Sequence, residues 1–313
     1  MNTRRNTPDG ARPQLDHVLV AASVALALGL APAALADDDF YQTLEAAPDG
    51  LVEIYNVAGR IQVQGTDSNE VEVSARFEDG VKEVVFEREG DVTVIRVEVE
   101  KQGRGWGRGW DGDARLEVRI PRTSDLFVEA VSADVSVGGV DGRLDLSSVS
   151  GDIEIESRTP SLEAKTMSGD VGFSGSGQDV VAALASVSGD VGVYDVGGDV
   201  HTSSVSGELV LELRAVSRLR AQSTSGDVAA KAQLMNNARV ELETVSGEAQ
   251  LRIEGDRGGD YTLSTFSGDL ENCFGPEPEE RRYSPGRSVK FREGSGDRTV
   301  NVSSMSGSIV VCD

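Results

Sequence analysis

The sequence predicts an all-β protein, a parallel β-helix-like β-solenoid with coils of about 18 to 21 residues and an irregular β cap at its N-terminal end. Two observations predict this fold. A five-residue motif, Ser/Thr-x-Ser-Gly-Asp/Glu, recurs through the second half of the chain, and apolar and polar residues alternate on both sides of the copies. A short motif repeated at a near-constant period is typical of stacked coils.

The motif itself predicts a corner between two strands. Its glycine can adopt the positive φ of a tight turn, and the acid that follows can accept hydrogen bonds from nearby backbone amides. Successive motif glycines are 18, 20, 18, 19, 21, 21 and 39 residues apart. They are Gly151, Gly169, Gly189, Gly207, Gly226, Gly247, Gly268 and Gly307. Alternating stretches such as Arg143–Ser147 and Asp152–Glu156 predict a strand before and after each corner.

The chain divides into an export signal, a cap and the repeats. Residues 1–36 combine three arginines, an apolar run and an Ala-Leu-Ala ending, which is the pattern of a signal peptide. Residues 37–130 form a β-rich N-terminal part or cap without the motif, and residues 131–313 form the motif-repeat solenoid. The export signal predicts a periplasmic or extracellular, cell-surface protein without a membrane span.

The long gap before the last motif holds an inserted loop at 275–298, rich in proline and charge. Such residues blunt the exposed edge of a sheet, so the loop is interpreted as a cap, with a binding loop as the alternative. Cys273 and Cys312 each lie five residues after a motif glycine. If the two copies form neighbouring coils, the cysteines are close enough for a disulfide, and export to an oxidising compartment favours the bond.

The charge of the chain limits its partners. The formal net charge is −23, and residues 1–36 contribute +1, which leaves −24 on the exported part. Such a surface disfavours nucleic acid and anionic membranes. Partners chosen by charge would be cationic peptides, divalent ions or basic protein faces, and an acidic surface that simply keeps an exported protein soluble is the alternative. The predicted partners are an envelope glycan, a protein or a cationic peptide, with end-to-end self-association of the solenoid as a further possibility.

No catalytic or metal-binding constellation stands out, so no catalytic residue, metal ligand or cofactor is predicted. His201 is the single histidine after residue 36 and is interpreted as a surface turn residue. The corner acids would form a column of like charges, which Ca²⁺ could bridge. The calcium-binding repeat of β-rolls is absent, however, and turn hydrogen bonds also explain acids there. The two motif hydroxyls, as in Ser186 and Ser188, would form hydrogen-bond ladders.

The segment Gly103–Gly112 is the predicted partner-binding loop. It holds both tryptophans of the chain, Trp106 and Trp110, next to Arg104 and Arg108, and glycine at alternate positions disfavours regular structure. Aromatic rings flanked by arginines can stack on sugar rings or hold an apolar side chain. A structural plug at the N-terminal end of the solenoid, or a disordered segment, is the alternative.

Four features together carry a family likeness over residues 50–313. They are the opening Leu51–Val63, the strand end Val118–Pro121, the serial Ser-φ-Ser-Gly-Asp copies and the late Gly294–Asp297. The chain resembles the DUF4097 group of bacterial putative adhesins. The resemblance implies repetitive β structure and, through relatives linked to cell-envelope stress, the sensing of cationic antimicrobial peptides.

These observations predict an exported, non-enzymatic β-solenoid of the bacterial cell envelope that acts as an adhesin-like binding or scaffold protein. One alternative is an envelope-stress sensor that binds cationic peptides. Two others are a polysaccharide-acting β-helix enzyme, which would need two convergent carboxylates, and the subunit of an end-to-end filament.

Overall fold

The computed structural model describes residues 40–77, 80–99, 112–280 and 286–313. Residues Asp37–Asp313 form one compact unit. The described residues form 23 strands and no helix, which confirms the all-β prediction. They therefore offer no helix of the length and hydropathy that a membrane crossing requires.

The strand bounds are as follows. The first seven are β1 (Phe40–Glu45), β2 (Leu51–Thr66), β3 (Glu70–Phe77), β4 (Val81–Glu89), β5 (Val92–Val99), β6 (Ala114–Pro121) and β7 (Asp125–Gly138). The next eight are β8 (Leu144–Ser147), β9 (Ile153–Glu156), β10 (Ser161–Lys165), β11 (Val171–Ser174), β12 (Asp179–Ala185), β13 (Val191–Tyr194), β14 (Gly197–Ser204) and β15 (Leu209–Ser223). The last eight are β16 (Val228–Thr244), β17 (Ala249–Glu254), β18 (Gly259–Ser267), β19 (Leu270–Asn272), β20 (Glu279–Glu280), β21 (Arg287–Glu293), β22 (Arg298–Ser306) and β23 (Ile309–Cys312).

Each coil contributes one strand to a first face, turns at the motif corner, and contributes a second strand to a second face. On the first face β8, β10, β12 and β14 pair in parallel, and on the second face β9, β11, β13 and β15 do the same. Strands β2 and β7 run through the motif corner, whereas β15 and β16 run through the opposite corner. The coils are therefore two-sided at the level of their strands.

A narrow apolar core lies between the two faces. Ile153 and Ile155 of β9 are buried while Glu154 and Glu156 are exposed, and the same alternation marks the other coil strands. Side chains on a strand point alternately to opposite sides, so one apolar set from every coil enters the core. The predicted period-2 pattern is confirmed in these strands.

The order of the coils in the stack departs from their order in the chain at both ends. Strand β2 pairs with β7 on one side and with β5 and β6 on the other. Strands β22 and β23 likewise lie between the coil of β16 and β17 and the coil of β18 and β19. At each end, the outermost parallel coil and the coil next to it are therefore stacked in the reverse of their order in the chain. The segment 37–130 supplies two coils as well as capping strands.

Antiparallel strands cover the N-terminal end of the stack. Strand β4 pairs with β5 on the first face, and β3 pairs with β6 on the second face, with β1 beyond it. The buried Asn56 holds the bend of β2, because its Nδ2 donates to the carbonyl oxygens of Ala58 at 2.9 Å and Ala114 at 3.3 Å. These strands remove edges that would otherwise be unpaired.

The C-terminal end is covered differently. Strand β21, from the inserted loop, pairs antiparallel with β18. The ring of Phe291 in β21 stacks on Tyr261 with centroids 4.8 Å apart, and Phe274 packs edge-on against both rings. The buried Arg298 donates from Nε to the carbonyl oxygens of Leu234 and Met235, and from Nη1 to Asp256 and Gly258. The inserted loop thus contributes strand pairing and aromatic packing at this end.

Candidate functional site

The motif corner is built from glycine because neighbouring coils approach closely there. A Cβ atom added to Gly189 would lie 2.0 Å from the carbonyl oxygen of Gly169, and one added to Gly207 would lie 1.9 Å from that of Gly189. The expected positive φ is wrong for the motif glycines apart from Gly268, which has a φ of 153°. Glycine is required at these corners by space rather than by backbone conformation.

The first hydroxyl of seven of the eight motif copies joins its coil to the preceding coil of the stack, whereas Ser304 Oγ is buried without a hydrogen-bond partner. The buried Ser186 donates from Oγ to the carbonyl oxygen of Gly169 at 2.9 Å, and Ser204 donates to that of Gly189 at 3.1 Å. The second hydroxyl, as in Ser188, is exposed. Of the two predicted ladders, the inner one is therefore a chain of buried hydrogen bonds, and the outer one lies on the surface.

The corner aspartates form a ladder with the backbone of the next coil. In each bonded pair a carboxylate oxygen accepts a hydrogen bond from the backbone N–H of the following corner acid, at 2.7 to 2.9 Å. The pairs, carboxylate first, are Asp152 with Asp170, Asp170 with Asp190, Asp190 with Glu208, and Asp227 with Glu248. An aspartate carboxylate is short enough to accept these backbone hydrogen bonds, so the contacts account for aspartate at the corner.

An exposed apolar ridge runs along the corner. The second motif residue is solvent-exposed in every copy, with 42% of Val187, 55% of Met167 and 54% of Phe266 accessible. Backbone hydrogen bonds such as Ser188 N–H to the Met167 carbonyl, at 3.1 Å, place these residues in successive coils. In stack order the ridge consists of Val57, Val131, Val149, Met167, Val187, Val205, Thr224, Val245, Met305 and Phe266.

The ridge is long and almost wholly apolar. Ten positions at the spacing of paired strands, ~4.8 Å, extend over roughly 40 Å. Val57 is half-buried and Thr224 is the polar member. The aspartate ladder runs parallel to it, three residues further along each coil. Contiguous exposed apolar surface of this kind marks interaction sites, because it is costly to leave in water.

A groove of about 400 Å³ lies on the outer side of the first face, near the N-terminal end. The rings of Tyr55 and Phe127 lie there with centroids 5.9 Å apart and planes tilted by 52°, and the guanidinium of Arg96 lies 4.8 Å above the Tyr55 ring. The Tyr55 hydroxyl donates to Glu53 at 3.1 Å. Burial of the Tyr55 hydroxyl and, to a smaller extent, its hydrogen bond to Glu53 raise the pKa of Tyr55.

The far side of the groove is acidic. Asp145 follows Phe127 in register and Glu163 follows Asp145, so their carboxylates extend from successive coils. Partial burial and the nearby charge of Glu163 raise the pKa of Asp145. Asp125 is held by Arg143 at 2.9 Å.

The predicted binding loop, with Arg104, Trp106, Arg108 and Trp110, lies outside the described residues. Val99 ends β5 before it, and Ala114 begins β6 after it. Ala114 pairs with Gly59, which pairs in turn with Ala133, at the position of the motif glycines. The residues that flank the loop therefore lie at the motif corner of the outermost parallel coil.

The cysteine prediction concerns the other end of the stack. Cys273 and Cys312 lie side by side in neighbouring coils, with Cα atoms 5.0 Å apart and joined as a disulfide. Among the described residues, one group of potential metal ligands has its ligand atoms within 4.8 Å of one another: Glu271 and these two cysteines. Sulfur atoms joined in a disulfide are poor metal ligands, because the thiolate is the form that binds a metal. His201 lies in β14, half-buried in the sheet, and not in a turn as expected.

Sequence reasoning missed both the ridge and the groove. The ridge was visible as the apolar second residue of the motif, but strand alternation assigns apolar residues to the core, and the corner breaks that alternation. The groove had no local signal, because Tyr55 and Phe127 are 72 residues apart and become neighbours when β2 pairs with β7.

Comparison with solved structures found matches of low sequence identity, three of which follow. A putative cell adhesion protein from Clostridium sporogenes is 11% identical over 87% of this chain and 98% of its own, with a TM-score of 0.23. A putative adhesin from Bacteroides fragilis is 10% identical over 87% and 96%, with a TM-score of 0.37. A putative lipid binding protein from Parabacteroides distasonis is 11% identical over 88% and 98%, with a TM-score of 0.44.

At these values the three structures carry no functional argument, and no curated protein matches the chain. The family model described as Toastrack DUF4097 matches residues 52–311, which is nearly all of the stack from β2 to β23. It confirms the resemblance and the solenoid-like fold. The chain belongs to the Toastrack DUF4097 family.

Proposed function

We propose that this protein is an exported, non-enzymatic binding or scaffold protein of the bacterial cell envelope that holds a partner along its motif corner. The ridge is the observation that carries the proposal. A run of exposed valine, methionine and phenylalanine side chains, repeated coil after coil, is a surface that a partner would cover favourably. The regular spacing suits an extended protein or glycan chain that contacts several coils at once.

Two sequence features support export. The first 36 residues have the pattern of a signal peptide. Cys273 and Cys312 lie at disulfide distance, and disulfides persist mainly in oxidising compartments outside the cytoplasm. Location on the cell surface or in the periplasm would then decide whether the partner belongs to another cell or to the envelope itself.

The carboxylates and the histidine support a role without catalysis. The corner aspartates bind backbone N–H groups of the next coil, so they are engaged in the structure. His201 lies in a strand of the first face. A general acid or base must reach the group on which it acts, whereas the corner aspartates are engaged with the backbone of the stack.

The loop with Trp106 and Trp110 belongs to the same proposal. The strands that flank this loop, β5 and β6, reach the motif corner. Its tryptophans would therefore extend the ridge beyond Val57. Aromatic residues are enriched among those that dominate binding energy. Replacing both tryptophans by alanine should therefore weaken partner binding without unfolding the stack.

Site-specific photocrosslinking in intact cells tests the contact line. A photoreactive amino acid at Val187, on the ridge, should form an adduct that is lost when Val149 and Val205 are changed to threonine. The matched control is Val181, which is 62% exposed on the first face and lies off the ridge. Equal adducts from Val187 and Val181, or an adduct indifferent to the threonine changes, would contradict the proposal.

Protease treatment of intact cells, followed by fractionation, tests the location. Digestion of the protein on intact cells would place it on the surface and favour adhesion. Protection until the outer membrane is opened would place it in the periplasm and favour an envelope scaffold. Recovery in the cytoplasm with residues 1–36 still attached would refute export.

A further inference from the structure

The groove on the first face differs from the rest of that face by its aromatic rings. Glu53, Phe127, Asp145 and Glu163 occupy one column across four stacked coils. Further along, the same column holds Ala183, His201, Arg220, Glu241, Asn301 and Thr262. An outward-facing phenylalanine therefore occurs in this column only beside the groove, where carboxylates flank it on both sides.

The aromatic pair already holds one cation. The guanidinium of Arg96 lies 4.8 Å from the centroid of Tyr55, within the range of a cation–π contact. Among the described residues, no cation lies over the half-buried Phe127 ring next to it. The groove thus offers a second aromatic ring of the same kind.

The charges around Phe127 are not balanced. Arg143 pairs with Asp125 at 2.9 Å, and Lys165 pairs with Glu163. In the described part of the chain, Asp145 has neither an ion pair nor a hydrogen bond. Partial burial and the charge of Glu163 raise the pKa of Asp145, and the more weakly felt charge of Lys165 does not cancel them.

We propose that this groove binds an organic cation, an ammonium or guanidinium group on an apolar stem, with the stem over Phe127 and the charge beside Asp145 and Glu53. The aromatic ring supplies a face to which cations are attracted, and the carboxylates supply the opposite charge. Free polyamines carry this chemistry, as do the lysine and arginine side chains of a peptide. The inference goes beyond the proposed function, because the groove lies on the first face and not at the corner.

Calorimetric titration of residues 37–313 with spermidine and with a short lysine-containing peptide tests the proposal. Asp145→Asn and Phe127→Leu should each weaken the affinity by about fivefold, which corresponds to about 1 kcal/mol. The matched control is Glu241→Gln. It removes a carboxylate from the same column, where Arg220 lies 3.5 Å away and no aromatic ring is present, so it should leave the affinity unchanged.

Binding should also depend on pH. Since Asp145 must be ionised to bind a cation, the affinity should fall as the pH drops through its raised pKa, and less so in Asp145→Asn. The charged groups that face Asp145 from its own and neighbouring strands are Glu53, Asp125, Glu129, Arg143, Glu163 and Lys165. Added salt should weaken binding, as expected for an exposed ionic contact.

The probes separate the sources and can refute the proposal. Binding of spermidine alone would support a free polyamine, and binding of the peptide alone would support a side chain of a partner. A peptide with acetylated lysines should not bind. Equal binding of the acetylated peptide, equal losses in Glu241→Gln and Asp145→Asn, or no binding of either cation at millimolar concentration would each overturn the inference. Because the ridge is untouched by these variants, their failure leaves the crosslinking result at Val187 unaffected.

Discussion

The middle coils of the stack, from Gly151 to Gly247, repeat the same contacts, whereas the coils at the two ends are held by contacts that occur once. In the middle, a buried hydroxyl donates to a glycine carbonyl of the coil before, and an aspartate accepts from the backbone of the coil after. At the C-terminal end, the cysteine pair, Arg298 and an aromatic cluster take over. At the N-terminal end, Asn56 and antiparallel strands do so.

This difference follows from where each coil has neighbours. A middle coil is covered on both sides, so a small set of contacts, repeated, is enough, and its stability is a sum over neighbouring pairs. An end coil has one open side, with unpaired backbone and an exposed end of the core. Each end coil therefore needs side chains that cover its open side. The two ends use different residues, because antiparallel strands cover one end and the inserted loop covers the other.

The largest effect is expected in the middle. Gly189→Ala places a Cβ atom 2.0 Å from the Gly169 carbonyl oxygen, and backbone cannot yield as a flexible side chain can. Overpacking against backbone costs typically up to about 3 kcal/mol. We expect Gly189→Ala to lower the free energy of unfolding by at least about that amount, measured by denaturant titration.

The control for this variant is Gly172→Ala in β11, where an added Cβ atom meets nothing within 4 Å. This variant should be close to neutral or slightly stabilising, since alanine restricts the unfolded chain more than glycine does. If the two alanine variants had equal stability, close approach would not be the reason for glycine at the corner.

A comparable or smaller effect is expected at the C-terminal end. Replacing Cys273 and Cys312 together by serine opens a loop with a sequence separation of 39 residues. In the chain-entropy model a crosslink over such a loop stabilises by roughly 3–4 kcal/mol, and engineered cases often give less. Adding a reductant to the unaltered protein should reproduce the loss, and should change nothing in the double serine variant.

The smallest effect at neutral pH is expected from Tyr261→Phe. Burial raises the pKa of Tyr261 to about 12, and its hydroxyl donates to the Arg257 carbonyl at 2.6 Å. Loss of that hydrogen bond should cost about 1 kcal/mol. Because the folded-state pKa is raised, the stability that it confers is complete below the unfolded pKa near 10 and is lost as the pH rises towards 12.

Unfolding measured between pH 9 and pH 12 checks this sign. The unaltered protein should lose stability over that window, and Tyr261→Phe should lose less. Parallel curves for the two proteins would show that Tyr261 does not titrate differently in the folded state, and that the C-terminal aromatic cluster is more open than its packing indicates.

The repeats could be predicted from the sequence because their signals are local. The glycine spacing, the alternation around it and the equal offsets of Cys273 and Cys312 are all visible in the printed chain. The reason for glycine at the corner was not visible in the sequence. The space that a Cβ atom of Gly189 would need is filled by the carbonyl oxygen of Gly169, which lies 20 residues earlier in the chain. Residues 20 apart become neighbours only after the coil closes.

The order of the end coils, and the groove, could not be predicted for the same reason. Nothing near Leu51 indicates that β2 lies between β6 and β7, because this depends on competition among strands of similar pattern. The charges of Asp145 and Glu163 were visible, but their alignment with Phe127 depends on register. A register is specified by the whole face rather than by one segment.

The position of β22 and β23 has a consequence for how the molecule is made. These strands are synthesised after β18 and β19, yet they lie between them and the coil of β16 and β17. The coil of β18 and β19 therefore has no parallel strand to pair with until residues 298–312 have emerged. Assembly cannot proceed coil by coil in the order of synthesis, because β22 and β23 enter the stack inside a coil that was synthesised before them.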